Sequence, residues 1–281
     1  MQFEMNDLKS IIEEVYFKEK KNQFTFLTGA GISSDSGIPT YRGSDGIWIK
    51  GSKFYKPEEF GTLKYFLQNP EEVWQYMISQ KIMFKEAEPN DSHFAIREIE
   101  KLLGERFNLI TQNVDNLHRK VGVNNILEIH GNYNEVKCSN KCKDILPFPE
   151  NIIAKGSSDH LLQKDKESLT CLKCGSWLRP NLLWFDEEYD EKTNKKVSSL
   201  KIAKFSGVLF VIGTSGATNL PIQLAKTTLK FGGYVIDINI EDNHFTRLLQ
   251  NKKRGLIIRE KSDRIINTIK GIIKNCIEQS I

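Results

Sequence analysis

At 281 residues, with 39% hydrophobic and 27% charged side chains, the chain can bury one large core or a large and a small one. Its formal net charge of +4, with Lys and Glu interspersed, gives no basic stripe for nucleic acid, so runs such as Lys18-Glu19-Lys20-Lys21 read as solvated faces. The longest apolar run, Val208 to Ile212, is too short to span a bilayer, and Met1 to Asp7 lacks the apolar stretch of a secretory signal; the expectation is a soluble, cytoplasmic protein with no membrane partner.

Apolar residues at Leu8, Ile11, Ile12, Val15 and Tyr16 recur with a helical period over residues 7–21, so a helix leads into the first strand, Phe24-Thr25-Phe26-Leu27. The following Thr28-Gly29-Ala30-Gly31 sits where that strand ends. Without Cβ atoms, Gly29 and Gly31 let backbone N–H groups approach a pyrophosphate, and a helix beginning near Ser33 or Ser34 would add its positive N-terminal dipole. A tight strand-to-helix turn in any α/β protein is the plainer reading of the same glycines. Ser36-Gly37-Ile38-Pro39-Thr40-Tyr41-Arg42-Gly43, with two glycines and a proline, reads as an ordered loop that brings an aromatic ring and a cation beside the turn.

Residues 50–103 are rich in helix formers and aromatics, with breaks at Pro57, Pro70 and Pro89. Val73, Trp74, Met77, Ile78 and Ile82 form a helical stripe that serves core packing and also fits the wall of a pocket. Asp91 or Ser92 is the expected cap of a helix running through Leu103. Short strands follow at Phe107 to Thr111, Ile126 to Ile129, Val208 to Ile212 and Tyr234 to Ile238. Each ends at a polar motif, respectively Thr111-Gln112-Asn113, His130-Gly131, Gly213-Thr214-Ser215 and Asn239. Ligands in open α/β sheets collect beyond the carboxyl ends of the strands, which is the pattern a dinucleotide site requires.

Between about Tyr133 and Trp177 the α/β rhythm stops. Four of the five cysteines lie there as two close pairs, Cys138/Cys142 and Cys171/Cys174. In a reducing compartment such pairs are better explained by a metal than by disulfides, and two sulfurs from each complete a tetrahedral structural Zn²⁺ site. Lys137, Lys141, Lys143 and Lys173 would offset part of its negative charge. Cys276 has no partner in sequence and reads as a core residue.

Taken together, Gly29-Ala30-Gly31, Gly37-Ile38-Pro39-Thr40-Tyr41-Arg42, Thr111-Gln112-Asn113-Val114-Asp115-Asn116-Leu117-His118, His130-Gly131, the cysteine pairs, Leu183-Trp184-Phe185-Asp186 and Gly213-Thr214-Ser215 resemble the sirtuin family in content and order, from about Phe24 to about Asp242. That resemblance implies a Rossmann-like, mostly parallel sheet over residues 1–48, 104–132 and 178–281, a helical insertion over 49–103 and a zinc-ribbon module over 133–177. It implies NAD as co-substrate and an acyl-lysine protein or peptide as partner. By the same resemblance Gly29, Ala30, Gly31, Ile38, Tyr41, Arg42, Gln112, Gly213, Thr214, Ser215 and Asn239 hold the dinucleotide. Asn113, Val114 and Asp115 meet the nicotinamide end, Asn113 and Asp115 with a catalytic share, and His130 is the catalytic base. Leu183, Trp184, Phe185 and Asp186 line the substrate strand and its tunnel.

Three places depart from the family pattern, one being Gly216-Ala217-Thr218-Asn219-Leu220-Pro221, which replaces a more apolar run after Gly213-Thr214-Ser215. Asp186 stands where glycine is usual, which puts a carboxylate at the peptide groove, and Tyr41 stands where phenylalanine is commoner. The reaction implied is NAD-dependent deacylation of lysine to free lysine, nicotinamide and O-acyl-ADP-ribose. Two alternatives on the same residues are an NAD glycohydrolase or ADP-ribosyltransferase, and a non-catalytic NAD-binding module.

Overall fold

A computed structural model describes residues 2–18, 20, 22–40, 57–142, 145–154 and 160–280. Tyr41, Arg42, Lys143 and the polar loop at 155–159 lie outside the described residues.

The apolar strands expected from sequence assemble into one parallel sheet of six, in the order β3-β2-β1-β7-β8-β9. Its members are β1 (Gln23–Thr28), β2 (Phe107–Thr111), β3 (Ile126–Glu128), β7 (Ser206–Ile212), β8 (Tyr234–Ile238) and β9 (Gly255–Ile258). All seven residues of β7 are buried, as a central parallel strand covered on both faces must be. The edge strand β9 escaped the sequence reading because Gly-Leu-Ile-Ile is too short to show a period.

On one face the helices Gln2–Tyr16, Asp91–Leu103 and Ser262–Glu278 bury Leu8, Ile12, Ile96, Ile99, Ile266 and Ile269 against Phe24, Phe26 and Phe210. The lone Cys276 belongs to that core, as expected. On the other, Lys196–Phe205 and Asn219–Lys230 bring Ala203, Leu220, Leu224 and Ala225 onto Leu27, Leu209 and Val211. The stretch 49–103 therefore divides in space, its last helix packing on the sheet and the helices Leu63–Gln68 and Pro70–Glu86 joining a separate core with Tyr133, Val136 and Trp184.

Local signals differ from expectation in three places. The first helix begins earlier and stops at Tyr16. Pro57 and Pro70 open helices, a position where the missing N–H costs nothing. The cap of Asp91–Leu103 is Asn90, whose side chain accepts the Ser92 N–H while His93 reaches back to the Asn90 backbone.

A second, antiparallel sheet has the order β5-β4-β6, from β4 (Gly131–Cys138), β5 (Leu146–Pro147) and β6 (Leu178–Leu182). It runs from Gly131 to Leu182, past both edges of the stretch 133–177, and its β6 is the strand that returns the chain to the first sheet. Leu183 donates its N–H to the His130 carbonyl at 2.9 Å, so the two sheets meet beside His130.

Candidate active site

Strands β1 and β7 are neighbours, yet β1 continues to β2 on one side and β7 to β8 on the other. The gap beyond their carboxyl ends is the topological switch point of the sheet. Here the backbones nearly touch: Gly31 donates to the Gly213 carbonyl at 2.8 Å, and a Cβ on Gly31 would lie 2.7 Å from the Gly213 Cα. Gly213 also has φ +60°, so both positions need glycine, one for space and the other for conformation as well. The helix expected to start near Ser33 is instead a 3-10 helix from Ala30 to Ser36, ended by Gly37 at φ 78°. Seven residues are too few to build a strong macrodipole, and the N–H groups of Gly29 and Gly31 are spent on the Ile212 and Gly213 carbonyls, so the glycines serve the gap by leaving it space.

Over this gap opens a cavity of about 730 Å³. Its floor is Gly29, Ala30 and Gly31 with Gly213, Thr214 and Ser215. Gln112, Asn113, Val114 and His130 form the middle, Asn239 one end, and Leu183, Trp184 and Phe185 the other. Sequence motifs spread over more than two hundred positions thus converge because each sits at the end of a strand in the same sheet or on the strand leaving β6.

Hydrogen bonds fix these groups. Gln112 Nε2 donates to Thr214 Oγ1 at 2.8 Å and Asn239 Nδ2 to the Thr214 carbonyl at 3.1 Å. The Asp115 carboxylate does not line the cavity: it is buried behind Asn113, accepting Ser33 Oγ at 2.7 Å and the Leu117 N–H at 3.0 Å. Burial pushes its pKa up, and those two hydrogen bonds work against that. Asn113 Nδ2 donates to the same Ser33 Oγ at 3.1 Å, so one serine ties both residues to the glycine turn. Sequence reading passed over Ser33, whose hydroxyl carries no motif beyond a helix start. His118 is structural: it is buried, with Nε2 3.1 Å from Thr28 Oγ1. Ile38 is likewise buried, in the core that holds Val114 and Trp74, and does not line the cavity.

His130 is half-buried, and desolvation lowers its pKa to about 4, partly opposed by a hydrogen bond with the Gln112 backbone. Gly131 follows at φ +87°, where a Cβ would strike the Asn181 carbonyl at 1.7 Å, so the glycine after His130 is required by the close antiparallel pairing of β4 and β6. Nε2 of His130 lies 2.7 Å from the hydroxyl of Tyr189, a residue outside every motif recognised in the sequence.

At the other end the cavity is walled by Tyr76, Met77 and Tyr133, with Tyr133 Oη donating to Met77 Sδ at 3.2 Å. The pocket half of the reading of that helical stripe therefore falls to Met77, while Val73, Trp74 and Ile78 are core. Asp186 does not face the groove as expected. Its two oxygens accept the N–H groups of Leu63 and Lys64 at the start of the helix Leu63–Gln68, at 2.7 and 3.1 Å.

Away from the cavity, the four Sγ atoms of Cys138, Cys142, Cys171 and Cys174 lie within 4.8 Å of one another. The edges involving Cys142 are 3.3 to 3.4 Å and Cys138–Cys174 is 3.5 Å. A tetrahedron with Zn–S of about 2.3 Å has edges of about 3.8 Å, so the thiols need only a small outward adjustment to hold Zn²⁺. All four positions would be filled by sulfur, which makes the site structural.

The model of the Sir2 family matches residues 29–219. The chain belongs to that family. Relatives include an NAD-dependent protein deacylase of Pyrococcus abyssi, 35% identical over 254 residues that cover 90% of this chain and 95% of the relative. Another, from Pyrococcus furiosus, is 38% identical over 236 residues, covering 84% and 89%. Among solved structures, a Sir2 homolog–NAD complex aligns with a TM-score of 0.75 at 30% identity, covering 96% of this chain and 94% of that one. A mutant Sir2 homologue bound to ADP-ribose aligns with a TM-score of 0.77 at 29% identity, covering 97% of each. The α/β fold with its mostly parallel sheet is the family's, and the match spans both the glycine turn and the cysteine module. Among the described residues no helix is long and apolar enough to cross a membrane.

Proposed function

We propose that the protein is an NAD-dependent protein-lysine deacylase. The observation that carries this reading is that one cavity joins the glycine floor, His130 and the strand segment Leu183 to Phe185. The names of the Pyrococcus relatives and the NAD-bound Sir2 homolog support it.

In this reading Gly29, Gly31 and Gly213, whose N–H groups are spent on the Ile212, Gly213 and Ile238 carbonyls, with Ala30 among them, keep the floor clear of bulky side chains for the pyrophosphate, Thr214 and Ser215 offer their hydroxyls to it and its ribose, and Asn239 takes the adenosine end. Gln112, Asn113 and Val114 face the nicotinamide ribose, and Asp115 sets Asn113 through their shared Ser33. Ile38 supports Val114 from the core beside it. An extended acyl-lysine peptide adds beside Leu183, Trp184 and Phe185 and gains affinity mainly from backbone hydrogen bonds, which makes flanking sequence a minor determinant. Bound NAD supplies an electrophilic anomeric carbon once nicotinamide departs, and the acyl-lysine amide oxygen supplies the nucleophile. No serine or cysteine of the chain needs to attack. His130, neutral because burial holds its pKa far below 7, accepts the ribose hydroxyl proton at Nε2. Cys138, Cys142, Cys171 and Cys174 would hold Zn²⁺, which would fix the small sheet whose strand β6 leads to Leu183 and, with all four positions filled by sulfur, would take no part in proton transfer.

The test is incubation of purified protein with NAD, with and without an acetyl-lysine peptide, following nicotinamide. Release that requires the peptide selects the deacylase. Equal release without it selects an NAD glycohydrolase, and binding without release selects a non-catalytic NAD module; either result overturns the proposal.

A further inference from the structure

The reading of His130 as a base leaves one residue of the cavity unexplained. Tyr189 lies between β6 and the short helix Glu191–Asn194, and its hydroxyl meets the nitrogen that must take the ribose proton. With Nε2 against the Tyr189 hydroxyl, the hydrogen bond with the Gln112 backbone, which favours the protonated ring, falls to the second nitrogen, and the ring is its donor. Nε2 is then the lone-pair nitrogen, and at 2.7 Å the Tyr189 hydroxyl is its hydrogen-bond donor. Thr218, beside the phenol, donates its hydroxyl to Gln112 Oε1 at 3.4 Å. Gln112, His130, Tyr189 and Thr218 all line the cavity.

We propose that Tyr189 is a positioning residue for His130: its hydroxyl selects the tautomer with an unprotonated Nε2 and holds that nitrogen turned into the cavity until a ribose hydroxyl takes its place. This deepens the deacylase reading and rests on it for its kinetic consequence, but not for its structural one. One neutral O–H donor replaces another, so the substitution at Nε2 costs little, while the ring is spared a search over orientations and tautomers. The hydroxyl stays protonated throughout, since burial raises its pKa to about 12.

No other titratable side chain competes for the ring among the described residues. Glu128, at the end of β3, is bound by Arg119 and Asn132. Glu187 is bound by Arg179, Asp190 caps Thr193, and Asp115 is held by Ser33. Removing the Tyr189 hydroxyl therefore changes the proton affinity of His130 without exposing another charge. A donor to the unprotonated nitrogen stabilises the neutral ring, so its loss raises the pKa of His130.

The experiment uses Tyr189→Phe in the full chain and reads two things. In the free protein, ¹⁵N NMR of the imidazoles should show a fixed tautomer for His130 in wild type, with a mixed population and a pKa higher by about half a pH unit or more in the variant. In turnover, deacylation should fall by roughly fivefold to tenfold in kcat with the peptide KM little changed, and the acid limb of kcat/KM should move to higher pH. Nicotinamide exchange, which reads the bond cleavage before the proton is removed, should stay at the wild-type rate. An unchanged His130 tautomer and pKa overturns the proposal, whatever reaction the enzyme proves to catalyse. Equal loss of exchange and deacylation also overturns it, because it marks a general disturbance of the pocket. A wild type that fails to release nicotinamide with an acyl peptide removes the deacylase reading alone, and the NMR result still decides the role of Tyr189.

Discussion

Asp186 accepts the backbone N–H of Leu63 at 2.7 Å. The residue that departs from the family's glycine is thus a cap supplied from a distant segment: Phe185 also donates its N–H to the Gly61 carbonyl at 2.9 Å, so the substrate strand and the helix over the pocket are laced together at two points. Asp186 is exposed, lies outside the cavity lining and faces the Leu63 and Lys64 N–H groups, so a peptide beside Leu183 meets its charge only through screening solvent. Peptides carrying Lys or Glu beside the acyl-lysine should then differ less than about twofold in kcat/KM at moderate salt. Asp186→Ala should cost about 1 kcal/mol, a fall in Tm of about 2 °C or more, and should raise the peptide KM. A marked preference for basic flanks that disappears in the variant would return Asp186 to the groove.

Replacement of the base is the sharper test of the chemistry. His130→Ala should lower deacylation by about 10² to 10⁴ while NAD binding, measured by calorimetry, changes little. Because the His130 pKa is depressed to about 4, the wild-type rate should stay flat from pH 8 down to pH 6 and fail only as pH drops through the acid range, where the ring is protonated. Wild-type-like turnover by the variant would refute the assignment.

Buried histidines give the fold itself a pH dependence. Burial lowers His93 to about 4 and His118 well below its ordinary value, so the folded chain leaves both neutral at a pH where the unfolded chain protonates them. Stability therefore rises with pH from about 4 to about 6.5 and is lost as pH falls through that window, by up to about 2 kcal/mol for His93 at pH 5. Urea midpoints at pH 7 and pH 5 measure this, and His93→Gln should flatten the difference. A midpoint independent of pH in wild type would contradict it.

Metal content is a direct prediction of the sulfur geometry. Purified protein should carry one Zn²⁺ per chain, and either chelation or Cys171→Ser should melt the β5-β4-β6 sheet and abolish activity. Elemental analysis showing well under one zinc in active protein would exclude a structural role.

Acyl selectivity follows from Met77, which walls the cavity with its sulfur already hydrogen-bonded by Tyr133, and from Gln80, which stands with Met77 at the two positions where sirtuins that remove acidic acyl groups resemble one another in a Tyr-x-x-Arg pair. Neither side chain offers a cation to a distal carboxylate, and burying that charge unpaired is costly. Acetyl or longer neutral acyl peptides should therefore exceed matched succinyl peptides in kcat/KM, and the flexible thioether leaves room for larger chains. Efficient desuccinylation would overturn this account of the pocket.

The chain's own order of residues determined the strands β1, β2, β7 and β8, the phosphate turn, the zinc ligands and the polar groups at each strand end, because these depend on local pattern: apolar runs, glycines without Cβ atoms and cysteines at ligand spacing. It also fixed that the motifs would meet, since parallel strands send their carboxyl ends to one side. What it could not contain is which side chains face one another across that edge. Asp186 reads as a groove carboxylate until the helix at Leu63 is laid beside it, and Asp115 reads as a ligand group until Ser33 is found against it. Tyr189 has no local signature, for its part depends on the antiparallel pairing of β4 with β6 that brings the chain after β6 within 2.7 Å of His130. Hydrogen bonds between residues far apart in sequence have no period and no spacing, so only the packed tertiary structure decides them.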